Sequence, residues 1–162
     1  TAAFVLLAWS ATTSVVAIGA KWLPLPPRKL LIGGLLGCAL GQLAVWGLGP
    51  GSTVFRLLPG LFLAGAANGI LNAALGRQAV ASVPADRSAM GSGANNTARY
   101  LGSATGLTIC AVVLAHSGSL AGPSGLWSGW NTVVLITVGF SLLGAFSIVA
   151  IRPTGDQPQS IG

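Results

Sequence analysis

Long apolar runs separated by short polar punctuation extend along the whole chain. Thr1 to Ala20 carries no charge and is closed by Lys21, by Pro24, Pro26 and Pro27, and by the pair Arg28 and Lys29. Leu30 to Gly49 is a second run, stopped by Gly49-Pro50-Gly51, and Leu57 to Gly76 is a third, bounded by Arg56 and Arg77. After Arg99 no charge occurs until Arg152. That stretch is too long for one crossing, because a helix traversing the hydrocarbon core takes about 20 mostly apolar residues. Gly, Ser and Pro123 accumulate between Ser117 and Gly129, where Trp127 and Trp130 suit an aromatic interface belt, so a hairpin is expected there. The pattern predicts an all-α integral membrane bundle over 1–151, with five transmembrane helices near 1–20, 30–49, 57–76, 89–116 and 130–151, followed by a cytoplasmic tail over 152–162.

Composition sharpens this. Of the 162 residues, 52% are hydrophobic and 6% charged, whereas a soluble domain carries roughly a quarter charged residues to cover its surface. The lipid bilayer is therefore the expected surrounding partner. The net charge of +6 comes from basic residues standing singly or in pairs, with no aromatic-interleaved cluster of the kind that follows a phosphate backbone, so no nucleic-acid partner is expected. Lys21, Arg28, Lys29, Arg77, Arg87 and Arg152 fall on one side of a five-span zigzag and Arg56 on the other. Retention of basic loops in the cytoplasm then puts the start of this chain outside and its end inside, in a multi-pass protein of the cell membrane. The uncharged opening has no basic region ahead of it and reads as a mature span rather than a leader. An odd number of spans with an exterior start, and no initiator Met, lead to the expectation that the chain is a fragment of a longer one.

Chemistry-bearing motifs are few. Cys38 and Cys110 lie in separate apolar runs without a CxxC or a neighbouring ligand set, so neither a metal nor a cofactor is expected. P-loop, HExxH and GxSxG motifs are absent, and no nucleophile and base pair up within the spans, so the chain is not read as an enzyme. Small residues four apart mark faces where membrane helices approach closely. Gly33, Gly37 and Gly41 form such a series in the second span, Gly65 and Gly69 in the third, and Gly102 and Gly106 in the fourth.

Polar side chains inside spans are expensive unless they face a bundle interior or a wet cavity. Asn68 and Asn72 share one face of the third span, and Ser92, Asn95, Asn96, Arg99 and Ser103 project to one side of the fourth. The two stripes are candidates for lining a common aqueous path, or for hydrogen-bonding helix to helix. Arg99 lies roughly 18 Å along a helix from Arg87 and is either a substrate or gating contact or a side chain that reaches back to the interface. Gln42 is a lone amide and reads as packing. Neither Asp86 nor Asp156 falls in a span, so this stretch holds no membrane carboxylate for proton coupling.

The segment Val83-Pro84-Ala85-Asp86-Arg87, followed by Gly91-Ser92-Gly93-Ala94-Asn95-Asn96-Thr97-Ala98-Arg99-Tyr100-Leu101-Gly102-Ser103-Ala104-Thr105-Gly106, resembles the entry to the penultimate helix of major facilitator superfamily carriers. It is most similar to the fourteen-span drug:proton antiporter branch. Leu58-Pro59-Gly60 and Pro27-Arg28-Lys29-Leu30-Leu31 resemble that branch in the same order. The branch's basic loop also holds an acid, which Gly19 to Lys29 lacks. The resemblance implies five helices of a six-helix C-terminal half, a small-molecule substrate bound at mid-membrane between this half and a missing N-terminal half, and alternating access. The corresponding expectation is a fragment of a proton-coupled multidrug or small-molecule efflux carrier, with Asn68, Asn72, Asn95, Asn96 and Arg99 as cavity or gating residues. The alternative is a small membrane subunit docking onto a partner through its Gly-rich faces.

Overall fold

A computed structural model describes residues 2–22, 25–49 and 51–150. The expected tail over 152–162, and Pro24 in the expected Pro-rich turn, lie outside these residues. The described residues are helical, without strands. Helix α1 spans Ala2–Gly19 and ends in the 3-10 turn Ala20–Trp22, α2 spans Pro27–Ala44, and α3 spans Val54–Ala81. A second 3-10 turn, Ala85–Arg87, leads into α4, Ser88–Ala150.

A straight helix as long as α4 would reach about 95 Å, yet α4 is folded back on itself. A Cβ built at Gly118 would stand 3.0 Å from Leu126 Cδ2, and one at Gly129 would stand 2.8 Å from Ser117 Cβ. Ser117 and Gly129 would lie roughly 18 Å apart in an unbroken helix. The chain therefore forms two antiparallel limbs, Ala85–Gly118 and Ser124–Ala150, and it reverses within Ser117 to Gly129, where the hairpin is expected from the sequence. Among the described residues, three segments are long and apolar enough to cross a membrane: Phe55–Ala81 and the two limbs. The third expected span thus extends to include both Arg56 and Arg77.

Glycine sets the helix contacts. Cβ atoms built at Gly37 and Gly41 would lie 2.8 Å from Ala67 Cβ and 2.6 Å from the Ala64 backbone nitrogen, and one at Gly34 would lie 3.1 Å from Leu71, so α2 runs antiparallel to α3. Gly65 abuts Trp9, and a Cβ built at Gly69 would stand 2.5 Å from the Thr13 carbonyl oxygen, so α1 runs parallel to α3. The expected series Gly33, Gly37, Gly41 is shifted by one residue at its start, since nothing lies within 4 Å of Gly33. At 100° per residue, Gly34, Gly37 and Gly41 fall within about 60° of one another, whereas Gly33 is roughly 100° from Gly34. Gly102 and Gly106 also have nothing within 4 Å, so neither makes the helix contact expected of it within this chain.

The second limb is fastened to α2 at both ends. Arg28, in the first turn of α2, donates from Nη2 to the carbonyls of Ile148 and Val149 at 3.0 and 2.9 Å. At the opposite end, α2 stops at Ala44, five residues short of the expected Gly49. Gly47 takes a left-handed φ of 73°, and the turn is held from the second limb: Trp130 Nε1 donates to the Val45 carbonyl at 3.2 Å, and the Gly47 N–H donates to Asn131 Oδ1 at 2.9 Å. Two apolar clusters fill these ends. One gathers Ala39, Val45, Leu48, Val134 and Val138, and the other gathers Leu30, Leu31 and Ala74.

Candidate functional site

The first limb is attached differently. Near its start, Gly91 packs against the Ala79 carbonyl and Val83 at the end of α3. At its far end it meets the second limb through Ser117 and Gly118. Between these two points it stands off from the remaining helices, and no residue of its most apolar stretch is fully buried. The consequence is a cleft along its middle.

The larger part of the cleft is a cavity of about 710 Å³ lined by Asn68, Asn72, Arg99, Ser103, Phe140 and Ser141, with Trp9 from α1. Asn68 is the central residue of Phe55–Ala81, roughly 20 Å of helix from either end. Arg99, opening into the same cavity, is therefore at mid-height of the bundle. A second cavity of about 570 Å³ continues the cleft and shares Gly102, Phe140 and Ser141 with the first, adding Gln42, Thr105 and Thr137. Glycine at 102 keeps both cavities open, because any larger side chain would project into them.

Of the five polar residues singled out in the sequence, the fold brings Asn68, Asn72 and Arg99 into one cavity. Asn95 opens instead into a separate cavity of about 390 Å³ with Gln78 and Ser82, near the end of α3. Asn96 is exposed and lines none of these cavities. Gln42, read from the sequence as packing, faces the cleft with its Oε1 buried and without a hydrogen-bond partner. A single amide in an apolar run leaves no periodic signal from which this is visible.

Arg99 makes no hydrogen bond or ion pair among the described residues, where the one ion pair joins Arg87 to Asp86 at the end of the bundle. Among the described residues the cleft thus holds one unpaired cation, several amides and hydroxyls, and the aromatic rings of Trp9 and Phe140. These are groups that can bind a ligand.

These features define a helical membrane protein with a polar cleft opening at mid-height. Compared with protein-family models, with curated proteins and with solved structures, the chain matches none.

Proposed function

We propose that the chain is part of a secondary transporter that moves a small molecule by alternating access, in the manner of the major facilitator efflux carriers that Gly91 to Gly106 resembles. The observation that carries this reading is the meeting of Asn68, Asn72 and Arg99 in one cavity at mid-height. Transporters bind at mid-membrane between repeats, and intramembrane polar groups are retained where they face such a path.

In this reading a further helical half covers the open side of the cleft, and rocking of the two halves exposes it to each face of the membrane in turn. Proton coupling would draw on carboxylates of that other half, since α1 to α4 carry none. The chain would sit in the cell membrane with its start outside and its end in the cytoplasm. Arg28, Lys29, Arg77 and Arg87 all occupy one end of the bundle and Arg56 the other, the distribution expected of a cytoplasmic end. A second reading, a small subunit docking through glycine faces, draws support from the open space at Gly33 and Gly106.

The test is efflux of a panel of cationic, neutral and anionic dyes from cells expressing this chain within its native flanking sequence. Efflux that disappears in Arg99→Ala at matched membrane abundance supports the transporter. A protein that extrudes nothing across the panel favours the subunit.

A further inference from the structure

The chemistry of the cleft is asymmetric. One end has a guanidinium with no carboxylate to pair with, flanked by Asn68, Asn72 and Ser103, all able to donate. The other end has Gln42 Oε1, a buried acceptor with no donor. Between them lie Phe140 and the open space left by Gly102. An arginine at mid-membrane is costly unless an opposite charge or dense hydrogen bonding compensates it. A buried acceptor without a donor carries a similar penalty. The two deficits face adjoining cavities that share Gly102, Phe140 and Ser141.

We propose that this cleft binds an amphipathic organic anion, with its carboxylate or sulfonate on Arg99, its apolar body along Phe140, and a hydroxyl or N–H donating to Gln42 Oε1. The inference rests on the transporter reading for its biological use and names the class of substrate that reading leaves open. Arginine suits the anionic end because its planar fork donates two parallel hydrogen bonds to one oxyanion. The amides of Asn68 and Asn72 complete a shell of donors, and the cleft offers no anionic group to a lipophilic cation.

The experiment uses the chain reconstituted in phosphatidylcholine nanodiscs, with three probes followed by their own fluorescence: 2-naphthoate, its neutral amide 2-naphthamide, and 6-hydroxy-2-naphthoate. Naphthoate is expected to bind at least tenfold more tightly than naphthamide. Arg99→Gln should remove that preference, and Arg99→Lys, which keeps the charge, should retain part of it. 6-Hydroxy-2-naphthoate should bind more tightly than naphthoate, and Gln42→Leu should remove that advantage. Equal binding of acid and amide, or naphthoate binding that is absent or unaffected by Arg99→Gln, overturns the proposal. If phosphatidylglycerol added to the discs displaces naphthoate from the wild type and not residual probe from Arg99→Gln, the anion site stands and a lipid headgroup is its source. Because binding is read without transport, a failure of dye efflux in cells leaves this result independent.

Discussion

Arg28 and Ile148 lie 120 residues apart along the chain, yet the Arg28 guanidinium donates to the Ile148 carbonyl from both Nε and Nη2, at 3.3 and 3.0 Å. The last carbonyls of a helix have no partner within it, and a cation there also meets the negative end of the helix dipole. Arg28 therefore closes the second limb of α4 from the start of α2. Arg28→Gln should destabilise the protein by about 1–2 kcal/mol, the range for hydrogen bonds from a charged donor in a half-buried setting. Thermal unfolding in detergent checks this, and a midpoint equal to that of the wild type would show that lipid or water satisfies those carbonyls equally well.

The glycines divide into two groups with opposite expected responses. A Cβ at Gly41 would lie 2.6 Å from the Ala64 backbone nitrogen, so Gly41→Ala must move α2 away from α3, at a cost of about 1–3 kcal/mol. Nothing lies near Gly33, and Gly33→Ala should be neutral or stabilising by up to about 1 kcal/mol through the reduced entropy of the unfolded chain. Unfolding followed with a thiol-reactive dye separates the two, since Cys38 and Cys110 are partly buried and become available as the helices part.

What the sequence reveals of this fold follows from what lipid demands. Uncharged runs reveal helices because a buried backbone must satisfy itself, and Asn68, Asn72 and Arg99 are conspicuous because polar groups are rare in such runs. Phase and ends are harder to read. Gly33 and Gly34 are chemically identical, and only the position of Leu71 on α3 decides which faces inward. The end of α2 at Ala44 is hidden in Val45-Trp46-Gly47-Leu48, which is as apolar as the helix before it. The groups that stabilise that end, Trp130 and Asn131, arrive from a distant limb. Asn95 and Arg99 share a helix face, yet the fold sends them to different cavities because Gly91 draws the limb against α3 below Asn95 and lets it stand off beyond.

That standing off predicts where water reaches. In a background with Cys38→Ala and Cys110→Ala, Ser103→Cys should react readily with a polar methanethiosulfonate in nanodiscs, because it opens into the cavity shared with Arg99. Leu107→Cys, on an exposed apolar part of the same limb, should react slowly because lipid covers it. Equal rates at the two positions would mean that the cleft holds no water in a bilayer.

The basic residues make the orientation testable by the same chemistry. Hydrogen bonding of Arg28 to Ile148, and packing of Gly91 on Ala79, place the start of α2, the end of α3 and both outer ends of α4 at one face of the bundle. Arg28, Lys29, Arg77 and Arg87 belong to that face, while Arg56 stands at the opposite one beside the turn at Gly47 and Gly51. Basic loop residues are retained in the cytoplasm during insertion, and the excess here is large enough for one orientation to dominate. In intact cells Ser52→Cys should therefore label with a membrane-impermeant maleimide, whereas Ser82→Cys, exposed just after α3, should label only after permeabilisation. The reverse pattern would invert the topology, and labelling of both positions from outside would indicate a population inserted in two orientations. Charge should control the outcome: replacing Arg77 and Arg87 with Gln while adding two Lys residues beside Ser52 should move labelling of Ser82→Cys toward the outside.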